Sequence, residues 1–337
     1  ELDRKKMSNM QFFVDSASID ITYKCNLRCK HCFDFAGENP RCELDDVTLS
    51  NIFESISKYE LNSICLCGGE PLLRFSSVID GLHILKNNNP SGKVAMVSNG
   101  LLWNQSIAES LKEAGLDLVQ FSLDGINDAS YDFIRQSAGK LHKVFDAIKY
   151  AKNSGLTVVI SSIPHRKNFS EFQALINLCD ELGVSELRVQ PLMNLGRGEK
   201  NYEYLSLMPE ENESIATLLA SNANSTKTRL IWGDPVDHFY MYRELKYIPQ
   251  ICINAFGEIV LSPYLPITIW NLRKYSLKEY FDLNIPVHAL KHETIKNLIS
   301  EIHDISDFTS HHKDMPLLFL ESNIDLSEEL KEMALYA

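Results

Sequence analysis

Apolar residues in the first half of the chain recur with two alternating periods. The runs SIDITY (18–23), SICLC (63–67), KVAMVS (93–98), LDLVQFSL (116–123), LTVVISSI (156–163) and ELRVQP (186–191) are short and bounded by turn residues, which predicts six strands. Between them, residues 45–60, 76–88, 104–115, 141–155 and 170–183 carry apolar side chains three and four apart, the period of an amphipathic helix. Asn104 and Ser170 stand where an N-cap oxygen would satisfy free backbone N–H groups. Gly115, Gly155 and Gly183 fall where a left-handed residue would end a helix. Such alternation builds βα units on a parallel sheet, either a partial barrel or an open doubly wound sheet, and periodicity does not choose between them.

After Gly198 the alternation stops. A helix is predicted over 208–224, strand-like structure over 251–262, and two or three short helices from about 287, including 291–304 and 325–336. The expected organisation is an α/β domain over 1–198, a second region over 199–286 with a β-hairpin, and a helical tail over 287–337.

Composition narrows the class. With 337 residues, 45% hydrophobic and 23% charged, the chain belongs with folded globular proteins. A formal net charge of −12 argues against a broad phosphate-tracking surface, so no nucleic-acid partner is expected. No apolar stretch reaches membrane-spanning length and the opening segment lacks a secretory core, so no membrane partner is expected and the cytoplasm is the expected location.

Eight cysteines, three of them within eight residues, look unlike a disulfide framework and like a metal site in a reducing compartment. Cys25, Cys29 and Cys32 form a C-x3-C-x2-C array directly after the first predicted strand. Thiolates suit both zinc and iron–sulfur clusters. Structural zinc wants a closed set of four ligands, whereas a cubane held by three cysteines keeps one iron open for chemistry. His31 or Cys42 could supply a fourth ligand, giving a zinc knuckle or an electron-transfer cluster. Cys65 and Cys67, two apart on one strand face, read as buried core thiols, although Cys67 lies close enough to the loop to see the site, and Cys42 and Cys179 read as structural. Arg166 and Lys167, after the fifth strand, read as a solvated loop or as partners for a substrate carboxylate.

The array and its surroundings resemble the radical S-adenosylmethionine (SAM) superfamily. The likeness runs in order from residue 17 to about 198: the cysteine loop, Gly68-Gly69-Glu70-Pro71, Ser98-Asn99-Gly100 and Ser122-Leu123-Asp124-Gly125, each after a successive strand. The resemblance implies a partial (βα)6 barrel, one [4Fe–4S] cluster on Cys25, Cys29 and Cys32, and SAM bound by Phe33, Gly68, Gly69, Glu70, Ser98, Asn99, Ser122, Asp124 and Arg135. In that reading Glu70 and nearby backbone carbonyls hold the methionine amine, Phe33 packs on adenine, His31 neighbours the adenine, and Arg135 meets the SAM carboxylate. An external electron donor of flavodoxin or ferredoxin type is implied.

Residues 187–211 and 251–281 look like the junction and hairpin of the SPASM/Twitch branch, which is rich in peptide-modifying enzymes. That branch carries auxiliary-cluster cysteines, yet Cys252 alone follows Cys179 here, and Ser262 and Tyr264 stand roughly where a cysteine is expected. The implied activity is formation of a 5′-deoxyadenosyl radical that takes a hydrogen atom from a peptide or ribosomally made precursor, with epimerisation or another redox-neutral change. Cys252 is the candidate hydrogen-atom donor. The short segment before the first strand is expected to leave no room for a fused leader-binding domain, so a separate leader-binding protein or the C-terminal region would have to recognise a leader. Other readings are a small-molecule or nucleoside-type substrate, and a catalytically silent binding scaffold.

Overall fold

The computed structural model describes residues 14–246, 248–305, 307–308 and 315–337. Its strands are β1 (Ser16–Thr22), β2 (Ser63–Gly68), β3 (Lys93–Ser98), β4 (Leu118–Ser122), β5 (Thr157–Ser162), β6 (Glu186–Val189), β7 (Arg229–Trp232), β8 (Gln250–Ile253), β9 (Glu258–Val260), β10 (Ile267–Asn271) and β11 (Ile324–Asp325). They form one 11-stranded sheet in the order β11-β10-β9-β8-β1-β2-β3-β4-β5-β6-β7. From β1 to β7 every neighbour pair is parallel and the order never reverses. A doubly wound sheet must turn back at its first strand, so this winding is that of a partial barrel.

The helices that link the strands are α1 (Asp46–Ile56), α2 (Phe75–Asn88), α3 (Gln105–Ala114), α4 (Asp128–Arg135), α5 (Leu141–Asn153) and α6 (Phe172–Leu182). After β6 come α7 (Gly196–Leu205) and α8 (Pro209–Asn222). Alternate strand residues build the layer between sheet and helices: Ile19, Leu66, Met96, Phe121 and Ile160 are fully buried there, with Leu49, Val78, Leu111 and Ile148 from the helices. The opposite strand positions face the lumen and are only partly buried, among them Ser18, Asp20, Cys65, Cys67, Gln120 and Gln190. A pleat alternates its side chains, so one set of strands provides both a dry outer layer and a polar interior.

Local punctuation is largely as the sequence implies. Asn104 caps α3 by accepting from Ile107 N at 2.9 Å, and Gly115, Gly155 and Gly183 all have positive φ at helix ends. Ser170 is no cap: it lies in a short 3-10 turn, Phe169–Glu171, that leads into α6. α4 is absent from the periodicity because it is short, yet its cap is plain: Asn127 accepts from Ser130 N at 3.1 Å.

The chain after α8 does not form a separate sheet. β8 runs parallel to β1 and pairs with it from Ser16 to Ile19, and the β8–β9–β10 hairpin continues the barrel sheet on that side. β1 is therefore a central strand, flanked by β2 and β8. The tail contributes a helix Glu293–Glu301, strand β11 and a helix Ser327–Leu335, while residues 309–314 and 1–13 lie outside the described residues. Phe121 is fully buried and packs edge-to-face on Trp103 with ring centroids 4.9 Å apart. Phe121→Ala should cost about 3–5 kcal/mol of unfolding free energy, measurable by chemical denaturation.

Candidate active site

The segment between β1 and α1, residues 23–45, carries the cysteine triplet and has no ladder of its own, so its backbone is held by hydrogen bonds within the segment and to other parts of the fold. Gly37 N donates to Tyr23 O at 2.6 Å, Lys30 N to Ile134 O at 2.8 Å, and Leu44 N to Ala255 O at 2.8 Å. After β2, Gly69 N donates to Thr22 O at 2.7 Å and Glu70 N to Lys24 O at 2.9 Å. A Cβ on Gly69 would lie 2.3 Å from Lys24 O, so only glycine admits this approach.

A second clamp comes from the start of α7. Arg197 N donates to Cys32 O at 2.8 Å, its Nε to Cys29 O at 2.9 Å, and both terminal nitrogens to Ala36 O at 3.1 Å. A Cβ on Gly196 would meet Phe33 O at 2.2 Å. Sequence reasoning missed this element. Its only signal was the pair of glycines flanking an arginine, Gly196-Arg197-Gly198, just after the last predicted barrel strand.

The loop so held places Cys25, Cys29 and Cys32 on one cavity of about 360 Å³ at the carboxyl ends of the parallel strands. Gly68, Gly69, Ser98, Asn99, Ser122, Asp124, Arg135 and Phe33 line the same cavity. Asn99 Nδ2 lies 3.8 Å from Cys25 Sγ and 2.7 Å from Asn26 Oδ1. Arg135 donates from Nε to Asp124 Oδ2 at 2.5 Å and lies 3.7 Å from Cys29 Sγ through Nη1. Asp124 is also fixed by Ile163 N at 2.8 Å. Burial pushes the Asp124 carboxyl up, but the Arg135 guanidinium, the neighbouring histidines and the hydrogen bond from Ile163 N together hold the group below its usual range. Burial raises all three thiols, Cys32 to about 12.

Two expected roles shift. Glu70 is absent from the cavity wall: it is fully buried, with Oε1 accepting from Ser98 Oγ at 2.9 Å and Oε2 from Asn99 N at 2.8 Å. It locks the loop after β2 to the end of β3, which leaves the backbone of Gly68 and Gly69 as what this motif presents to the cavity. Cys65 and Cys67 are not core thiols. They are partly exposed on the lumen face with sulfurs 3.2 Å apart, because odd-numbered residues of β2 point inward. Cys42 is exposed and Cys179 fully buried. Arg166 and Lys167 are exposed and line neither this cavity nor the one beside it.

The fourth-ligand readings find no support in the geometry. His31 is buried with Nε2 3.4 Å from Asp124 Oδ2, and burial lowers it to about 3, so it is neutral. Cys42 Sγ is 3.6 Å from its neighbour Glu43 O. Among the described residues, no three His, Cys, Asp or Glu side chains are placed to hold a single metal ion. Cys25, Cys29 and Cys32 border one cavity rather than meeting on one atom, which is compatible with three corners of a cubane.

A second cavity of about 310 Å³ adjoins the first, and Phe33, Asp34, Gly68, Val97, Gln120 and Gln190 line both. Its walls include Asp20, Tyr23, Cys67, Cys252, Ser262, Tyr264 and Phe319. Cys252 pairs with Ser18 of β1 and Val260 of β9, and burial raises its thiol to about 11. Ser262 Oγ contacts His238 Nε2 at 2.9 Å.

Residues 19–179 match the family model of the radical SAM superfamily. A probable GTP 3′,8-cyclase of Sulfurisphaera tokodaii is 31% identical over 254 residues, 74% of this chain and 74% of that protein. The chain is a radical SAM protein. The pre-heme d1 synthase of Dinoroseobacter shibae is 33% identical over 190 residues, 54% of this chain and 44% of that one. The chain thus spans most of the first relative and under half of the second. Among solved structures, anSMEcpe with bound AdoMet superposes with a TM-score of 0.64 at 17% identity, over 95% of this chain and 97% of that one. SuiB of Streptococcus suis bound to S-adenosylmethionine gives 0.59 at 17% identity, over 76% of this chain and 62% of that one. At these identities the likeness is one of fold.

Radical SAM proteins of this kind are enzymes, and the family uses a [4Fe–4S] cluster and SAM. The site fits that pair of groups. Three thiols border one cavity, a buried guanidinium stands beside Cys29 where an anionic thiolate set would sit, and two buried atoms at the wall, His31 Nδ1 and Ser162 Oγ, have no hydrogen-bond partner among the described residues.

Glu70 gives this site a pH signature. Its carboxyl is pushed by burial from 4.5 to about 7, against the hydrogen bonds from Asn99 N and Ser98. The folded chain therefore keeps a proton that the unfolded chain has released. The resulting stabilisation is complete below about pH 4.5 and is lost as pH rises through about 7. Unfolding free energy of the SAM-free protein should fall by on the order of 3 kcal/mol across that window, and Glu70→Gln should flatten the slope in denaturation series run from pH 4 to 8.

Proposed function

We propose that this chain is a radical SAM enzyme in which Cys25, Cys29 and Cys32 hold the cluster, the first cavity binds SAM, and the adjoining cavity receives a peptide-type substrate. The observation that carries the reading is the pair of contiguous cavities, one bordered by the three thiols and the other by the candidate donor Cys252. With cluster and SAM in place, the chemistry supplied is reductive cleavage of the sulfur–C5′ bond and hydrogen-atom abstraction by the 5′-deoxyadenosyl radical.

The chain's own residues do the rest. The Gly68–Gly69 backbone is free to approach the methionine amine, while Asn99, Ser122 and the Asp124–Arg135 pair offer polar contacts to the ribose and carboxylate. Neutral His31 and Phe33 flank the adenine. Phe33 lies between the cavities and packs edge-to-face on Tyr264 at 5.4 Å and Phe319 at 5.9 Å, which helps keep water from the reacting centre. Electrons would come from an external flavodoxin- or ferredoxin-type donor. The favoured reaction is redox-neutral, with Cys252 returning the hydrogen atom. A separate leader-binding protein would be a further partner.

A nucleoside-type substrate is the second reading, favoured by the likeness to a protein named for GTP. Against it stand Asp20 and Asp34 in the wall of the second cavity, which offer a triphosphate no cationic partner. Peptide-bound relatives of the fold, such as SuiB with its precursor SuiA at a TM-score of 0.57, accord with the peptide reading. Among the described residues no helix is long and apolar enough to cross a membrane; a cytoplasmic location is part of the proposal.

Anaerobically reconstituted protein given SAM and dithionite should release 5′-deoxyadenosine. The variant with Cys25, Cys29 and Cys32 all changed to Ala should release at least about 100-fold less, since the chemistry then has no starting point; bound zinc in place of iron would overturn the reading. With substrate supplied, Cys252→Ala should accumulate a carbon-centred radical by electron paramagnetic resonance and lose solvent deuterium from the product. Full, deuterated product from that variant would remove Cys252 from the mechanism.

A further inference from the structure

The second cavity has a charge and ring pattern that the cofactors do not explain. Asp20, on β1, and Asp34, just past the cysteine triplet, both face it. The Asp20 carboxylate accepts one hydrogen bond, from Tyr23 Oη at 2.6 Å. Among the described residues Asp34, in the wall of this cavity, has neither a hydrogen-bond nor an ion-pair partner. The guanidiniums at the two cavities are already engaged. Arg135 is held by Asp124, Arg197 by Cys29 O and Ala36 O, Arg188 by Glu186, and Arg41 by Glu258 at 2.6 Å with its plane 3.7 Å over Phe256. Two partly buried carboxyl groups with no ion-pair partner among the described residues leave acceptor oxygens that a positively charged guest would satisfy.

The walls around those acids are aromatic. Tyr23 packs on Phe256 and on Phe319 at 5.1 Å each, and Phe33 joins Phe319 to Tyr264, so the rings form a connected frame at one cavity. Faces of Tyr and Phe rings attract organic cations, and carboxylates set among them add hydrogen-bond acceptors. A bare metal ion is the wrong guest, because no three ligating side chains converge here among the described residues. The volume of about 310 Å³ suits one side chain or a small molecule rather than a nucleotide.

We infer that the second cavity selects a substrate that presents a protonated amine to Asp20 and Asp34, within the aromatic frame of Tyr23, Phe33, Tyr264 and Phe319. This rests on the reading of that cavity as the substrate chamber and names its substrate class: a lysine-like ammonium on a peptide, or the same group on a small amine. The amine is held for recognition, beside the carbon from which hydrogen is taken.

The test uses the reconstituted, SAM-loaded protein and three probes, the tripeptide Gly-Lys-Gly, its isostere Gly-norleucine-Gly, and GTP, with binding measured by calorimetry. Gly-Lys-Gly should bind at least about tenfold tighter than the norleucine peptide, a preference that Asp34→Asn and Asp20→Asn each reduce to about twofold or less. Pentylamine in a parallel titration identifies the source: equal binding of the amine assigns a small molecule, weaker binding a peptide, and either sustains the inference. Equal or absent binding of the two peptides by the unaltered protein, or tighter binding of GTP, overturns it whether or not the variants fold. Production of 5′-deoxyadenosine by the unaltered protein is scored separately. Its failure would sink the radical reading, whereas its success alongside indifferent peptides would sink only the amine.

Discussion

The chemistry of this protein depends on holding an irregular loop by its backbone. Residues 23–45 have neither helix nor strand to satisfy their polar groups, and the cysteines they carry must be fixed relative to strands several units away. The solution is close contact between main chains. The end of β1 lies against Gly69, and the loop carbonyls of Cys29, Cys32 and Ala36 are taken by Arg197. A side chain at Gly69 or Gly196 would occupy the space that the neighbouring carbonyl needs. Thiol geometry is thus set by packing of peptide groups together with the Arg197 side chain.

Around that clamp the sheet provides a second asymmetry. Its outer face is a dry layer of Ile19, Leu66, Met96 and Phe121, and its inner face is partly polar and open enough for two joined cavities. The parallel order brings the ends of β2, β3, β4 and β5 to one rim, where Gly68, Asn99, Asp124 and Ile163 meet. Glu70 and Asp124 are the two buried acids of this rim with opposite fates. Glu70 meets neutral donors and is raised, while Asp124 meets a guanidinium and is lowered.

Much of this was legible in the chain. Strand and helix positions followed from period, and the predicted β3 range, 93–98, is the observed one, because each barrel strand has a strongly apolar outer set. The cysteine triplet and the glycine and Asp-Gly motifs after β2, β3 and β4 were legible because short-range spacing encodes them. What escaped was long-range. Nothing local in Gln250–Ile253 reveals that it pairs with β1, and nothing in Arg197 reveals that its partners lie in the cysteine loop. The inward aim of Cys65 and Cys67 was hidden for a related reason: two-residue periodicity says that they share a face, while only the winding of the sheet says which face is the lumen. Asp20 and Asp34 are far apart as motifs and meet only because the loop folds back over the strand that precedes it.

The pairing of β8 with β1 fixes when the active centre can exist during synthesis. An emerging chain exposes the cysteine loop before the arginine that fastens it and before the strand that covers the edge of β1. Until then β1 offers an unprotected row of peptide groups, and the three thiols are unrestrained. The cysteine loop is therefore fully fastened only once β8 has been made and has paired with β1.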